Sequence, residues 1–155
     1  MSSGRVSRTL AHGFTLIELV MVIVLVGVLA IFAAPRLFDS AAFNARGFHD
    51  ETLAFLRYAQ KTAIAQRRTV CVAFTLSSAT LKVDNDSSAG CEANLAGPRG
   101  DSPGTVTARS GVTYGSLPAA VSFDALGQPT AAQTIQVQGV GRSITVEAGT
   151  GYVHE

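Results

Sequence analysis

The chain has 155 residues and a formal net charge of +1, with 12 basic residues against 11 acidic ones. Charged residues make up only 15% and hydrophobic ones 47%, so the shortage of charge points to one concentrated apolar segment beside a modest domain. The near-balance of charge argues against a protein held to nucleic acid by bulk electrostatics, and 15 Gly with 5 Pro is too few for a collagen-like or disordered chain.

The first thirteen residues, Met1 to Gly13, are polar and basic, with Arg5, Arg8 and His12 and no acid. Phe14 to Ala34 follows as an apolar run of 21 residues. A helix of about 20 residues matches the roughly 30 Å hydrocarbon core of a bilayer. The basic flank predicts that the leader stays cytoplasmic while the rest crosses outward. The run exceeds the roughly 7–15 apolar residues of a cleaved secretory signal, which predicts a retained anchor. Glu18 interrupts it, and a carboxylate there needs a partner or the membrane interface.

Gly13-Phe14-Thr15-Leu16-Ile17-Glu18, behind a basic leader and ahead of a full-length apolar helix, resembles the type IV prepilin signature. The resemblance implies cleavage of the Gly13–Phe14 bond by a prepilin peptidase and N-methylation of Phe14. It also implies an assembly role for Glu18. The freed amine of Phe14 would be buried among apolar neighbours in a filament, where Glu18 of an adjacent subunit neutralises it, since either charge buried alone is severely unfavourable. Pro35 fits the same family, which commonly carries a proline near the end of the apolar stretch.

Beyond Ala34 the helix is expected to kink at Pro35, which removes a donor and crowds the preceding turn, and then to continue to about Arg67. Phe48, Thr52, Phe55, Ala59 and Thr62 recur at spacings of three and four, with Leu56 and Ala63 alongside, as one apolar stripe. Arg46, Asp50, Arg57 and Lys61 read as its solvated face. From Arg68 the pattern becomes β. Thr69 to Leu76 alternates and pairs as a hairpin with Thr80 to Val83. Residues 84–104 read as a long polar loop, and short strands are expected around Val112–Tyr114, Ala120–Phe123, Thr134–Val137, Ser143–Val146 and Tyr152–Val153. The expected fold is α+β: a long N-terminal helix, transmembrane in its first half, packed on a C-terminal antiparallel sheet or small sandwich. The expected segments are a leader over 1–13, a membrane or filament-core helix over 14–34, its amphipathic continuation over 35–67 and a periplasmic β domain over 68–155.

This second half, with FLRYAQKTAIAQRR leading into VCVAF, then FDALGQP and a closing ITVEAGTGYV, is similar to minor pilin-like proteins. Among them are the type II secretion pseudopilin H, the pilus-biogenesis protein FimT and the C-type minor prepilin of mannose-sensitive haemagglutinin (MSHA) pili, and the ending is most like the last. The implied function is a minor structural subunit of an MSHA-type filament. The alternatives are a minor pseudopilin of type II secretion or a FimT-like pilin for DNA uptake. The implied partners are prepilin peptidase, other major and minor pilins or pseudopilins, and an inner-membrane assembly platform. The implied location is the bacterial inner membrane, single-pass, before incorporation into the filament. A nucleic-acid partner is not expected. Once Arg5 and Arg8 leave, 10 basic residues face 11 acidic ones, and the basic C-terminal tail of DNA-binding FimT-like pilins is missing.

Cys71 and Cys91 stand twenty residues apart; in an exported domain a disulfide is expected, two separate buried thiols being the alternative. Asp84-Asn85-Asp86-Ser87-Ser88 offers oxygen ligands, but Ala89 replaces the glycine of a calcium loop and no glutamate stands at the twelfth position, so a solvated turn is expected and no metal. His49 and His154 have no evident Ser or Asp partners, and Gly139-Val140-Gly141 reads as a turn. No catalytic constellation is found, and neither an enzyme activity nor a cofactor is expected.

Overall fold

The computed structural model describes residues 14–37, 40–86 and 90–155. It divides into two compact units, Met1–Asp39 and Ser40–Glu155.

In the first unit, helix α1 spans Leu16–Leu37. Its start is written locally: Thr15 Oγ1 accepts the Glu18 backbone N–H at 3.3 Å, and the Leu19 N–H bonds to the Thr15 carbonyl at 3.1 Å. A threonine cap with an acid three residues later satisfies an orphan donor and sets negative charge against the positive end of the helix dipole. Pro35, expected to mark a kink, lies inside α1 and does not end it. A proline removes a single helical donor, which the flanking turns can outweigh. A second described helix, α2, spans Ser40–Gln66; whether it continues α1 as the single helix expected from Phe14 to Arg67 turns on residues 38 and 39, which lie outside the described residues. Among the described residues no helix is long and apolar enough to cross a membrane. The expected span runs to Ala34, and the side chains from Ile31 to Leu37 are outside the described residues.

The second unit is built on α2. Its buried face comprises Ala45, Phe48, His49, Thr52, Leu53, Phe55, Leu56, Ala59 and Ala63, wider than the expected stripe by Ala45, His49 and Leu53, while Thr62 is half-buried. Arg46, Asp50, Arg57 and Lys61 are exposed, as a solvated face should be. Arg67 ends the helix in the left-handed region at φ 51°. The Arg68 N–H reaches the Ala63 carbonyl and the Arg67 N–H that of Ile64, the paired bonds of a Schellman cap.

The β elements form two antiparallel sheets. Strands β1 (Val70–Phe74) and β2 (Ser78–Val83) make the expected hairpin, in register from Val70–Val83 to Phe74–Ala79. Strand β5 (Val121–Phe123) adds to β1. Strands β3 (Ala93–Asn94) and β4 (Thr105–Thr107) share the outer edge of β2, one at each end. The second sheet runs β6 (Gln133–Gln136), β7 (Ser143–Val146), β8 (Val153–His154). Two expectations are corrected: the polar loop contains β3, and Val112–Tyr114 is not a strand but supplies only the bridge Tyr114–Val137.

Tyr114 was drawn out of that strand pattern by the core. Its ring lies 4.8 Å from Phe48 and 5.6 Å from Phe74. Thr52 Oγ1 donates to the Phe48 carbonyl at 2.8 Å, so at the 3.1 Å contact between the two hydroxyls Tyr114 must be the donor. Burial pushes the Tyr114 phenol up to about 12 from 10.0. A proton held more tightly in the folded state contributes stability that is intact below pH 10 and is lost as pH rises toward 12. Tyr114→Phe is therefore expected to show a shallower alkaline loss of stability, by about 2 kcal/mol across that window, measured by urea unfolding at pH 9.5 to 12. Equal slopes for the two proteins would refute the assignment.

Candidate functional site: the N-terminal motif and its apolar helix

Gly13 and the leader before it lie outside the described residues. Phe14 is described, and it is exposed and precedes the helix, which begins two residues later. The peptide bond joined to it is therefore not locked into helical hydrogen bonding on its Phe14 side. Such bonds suit a protease, which must lay its substrate out as extended chain.

From Phe14 to Leu29 the large apolar side chains are exposed, with Leu16 at 81% and Leu29 at 66%. A helix apolar on every side has no stable existence in water and requires apolar surroundings from lipid or other chains. Glu18 lies one helical turn beyond Phe14 and is exposed. Among the described residues no cation pairs with its carboxylate. Thr15 was missed by sequence reasoning, although the Thr15…Glu18 spacing is itself a capping signal.

In the second unit Cys71, in β1, and Cys91, just before β3, form a disulfide with a Cα–Cα separation of 6.1 Å. It ties the central hairpin to the long loop, and closing a loop of that size contributes about 3 kcal/mol in the chain-entropy account. Asp84, Asp86 and Glu92 bring their oxygens within 4.8 Å of one another, each already engaged in other interactions. Asp84 Oδ1 accepts the Asp86 N–H as a turn does, while Ser87, Ser88 and Ala89 lie outside the described residues. Gly139 sits at φ 82° in the turn between β6 and β7, closed by the Val140 N–H on the Val137 carbonyl, so this glycine pair is a turn.

The two C-terminal motifs meet in space. Asp124 Oδ1 accepts the N–H groups of Leu126 and Gln128 and shapes the turn at Gly127. Gln60 of α2 donates to the carbonyls of both Gly127 and Thr150. These motifs are joints of the fold. Each histidine meets an acid, an aspartate for His49, contrary to expectation, and a glutamate for His154. His154 Nε2 lies 3.0 Å from Glu147 Oε1, and that hydrogen bond, with a second to the Glu155 carbonyl, holds its pKa above the ordinary value. His49 Nδ1 lies 3.2 Å from Asp50 Oδ1.

Residues 8–34 match the prokaryotic N-terminal methylation motif, and residues 50–150 match the type II transport protein GspH. Two crystal structures of the type IV minor pilin FimU from Pseudomonas aeruginosa (strain PAO1) are similar. The first is 16% identical, covering 70% of this chain and 90% of that one, with a TM-score of 0.49. The second is 18% identical, covering 79% and 90%, with a TM-score of 0.47. Among curated proteins, none matches.

Proposed function

The chain belongs to the family of the type II transport protein GspH, and we propose that it is a minor pilin-like subunit built into an MSHA-type type IV filament, the group that its C-terminal ending resembles. The observation that carries this reading is the methylation motif over 8–34 running into a helix whose apolar side chains are exposed all round. Such a helix is stored in the inner membrane and later transferred to the core of a filament, where neighbouring subunits replace lipid. The chain spans that membrane once and holds its β domain in the periplasm. Its work is assembly, with no reaction of its own. Its partners are the peptidase that cuts after Gly13, the other pilins and the platform that extracts them.

A second reading, a minor pseudopilin of a type II secretion system, is favoured by the GspH match itself. Both readings require processing, and they part at the neighbours. Intact-mass analysis of the membrane-extracted protein should show loss of Met1–Gly13 and one methyl group on Phe14. A mature chain beginning at Met1 overturns both readings. Cross-linking of the processed protein to pilus subunits supports the first, and cross-linking to secretion pseudopilins replaces it with the second.

A further inference from the structure

His49 is a polar side chain on the buried face of α2 that the assembly role does not use. It lies on α2 and is 0% exposed, and its Nε2 is buried with no hydrogen-bond partner. Its other ring nitrogen is turned toward two carboxylates from opposite ends of the unit. Nδ1 is 3.2 Å from Asp50 Oδ1 and 4.0 Å from Glu155 Oε1, and the three donor atoms lie within 4.8 Å of one another. The Asp50 side chain is 64% exposed and that of Glu155 30%, so the cluster is walled by the buried imidazole and open to water on the carboxylate side. Arg142 Nη1 hydrogen-bonds the second oxygen of Glu155.

A proton on Nδ1 serves this arrangement only in part. It can bond to Asp50, but at 4.0 Å the Glu155 oxygen is beyond hydrogen-bond reach. A divalent cation among the three donors answers both acids and the ring nitrogen at once. We propose that His49 Nδ1, Asp50 and Glu155 form a binding site for a zinc-class divalent metal ion, which clips α2 to the segment that follows β8.

An imidazole ligand selects zinc and its transition-metal neighbours over calcium and magnesium, which take oxygen. With metal–ligand bonds of about 2.0–2.2 Å, tetrahedral donors stand roughly 3.4 Å apart. The His49–Asp50 pair, at 3.2 Å, is already near that spacing, and the 4.0 Å gap from Nδ1 to Glu155 needs to close by about half an ångström. Water from the open side supplies the fourth ligand. Arg142 orients Glu155 from behind, the arrangement by which outer groups fix a metal-bound carboxylate. The ion's two charges face two carboxylates, of which Glu155 is already paired with Arg142.

The test uses the full-length, disulfide-intact chain in detergent at pH 7.5, titrated calorimetrically with zinc chloride and, separately, with calcium chloride. One zinc ion per chain with micromolar affinity is expected, accompanied by a rise in Tm that calcium does not reproduce. Asp50→Asn and Glu155→Gln, both partly exposed, should fold normally and bind zinc at least tenfold more weakly. His49 is buried and its replacement could perturb folding, so its role is read in the unaltered protein. The imidazole 15N shift of His49 Nδ1 should move to the metal-bound range on adding zinc. Absence of zinc binding at 100-fold protein excess overturns the proposal. So does affinity unchanged in both carboxylate variants, or an Nδ1 that keeps its proton in saturating zinc. None of these outcomes bears on the assembly role, which is tested at Phe14.

Discussion

Gly151→Ala is expected to lower the stability of the second unit by more than about 3 kcal/mol and its Tm by about 10 °C or more. Gly151 sits at φ 66°, where a side chain costs roughly 1–2 kcal/mol. The larger cost is steric. A Cβ at this position would lie 2.0 Å from the Gly127 carbonyl oxygen and 2.7 Å from Gln60 Nε2. The first of these is backbone, fixed in turn by the Asp124 cap, so relief requires separating the two turns and giving up both Gln60 hydrogen bonds. Gly149→Ala is the internal control. It has no positive φ, and an added Cβ there meets nothing within 4 Å, so it should change stability by less than about 0.5 kcal/mol. Paired thermal melts decide the matter, and a Gly151→Ala protein as stable as Gly149→Ala would show that the two turns separate at no cost.

That joint marks where sequence reading reached and where it stopped. The hairpin of β1 and β2 was legible because Val70, Val72, Leu81 and Val83 alternate inward, a period that holds only if one face is buried. The stripe on α2 was legible for the same reason at the helical period. His49 continues it four residues before Leu53, but its polarity hid it. Strands β3 and β4 carry two and three residues, too few to show a period. Tertiary contact makes them strands: Gly104 packs against Gly97 too closely for any Cβ, and Asp101 accepts the Thr105 N–H, which together with Arg99 holds its carboxyl below the usual range. Tyr114 erred the other way, because its flanking pattern alternates while its ring answers to Thr52 and Phe48. Residues 49 and 155 lie too far apart in the chain for any spacing rule, and only the packing of the second sheet with α2 brings them together. The cleavage motif was legible for a different reason. It is a local string, matched over residues 8–34, that can be read without any tertiary packing.

Glu18→Ala is expected to be inserted, cleaved and folded, and to fail at assembly. Two roles are open to this carboxylate, and their magnitudes differ. Near the start of α1 it faces the positive end of the helix, an interaction of about 0.3–1 kcal/mol. The Thr15 cap would survive its loss, because Thr15 Oγ1 binds the backbone N–H of residue 18 rather than the side chain. If instead Glu18 neutralises the Phe14 amine of a neighbour, removing it leaves a buried cation unpaired at about 3–5 kcal/mol, more than a hundredfold in the equilibrium for incorporation. Glu18→Gln separates charge from size: it keeps the side chain's bulk and hydrogen-bonding capacity but not its charge, and should fail as Glu18→Ala does. The measurement is the fraction of each variant cross-linked to partner pilins, at matched levels of processed protein. A loss of fivefold or less in both variants would reduce Glu18 to a helix-start residue. Loss in Glu18→Ala with recovery in Glu18→Gln would show that the side chain, and not its charge, is what the neighbour recognises.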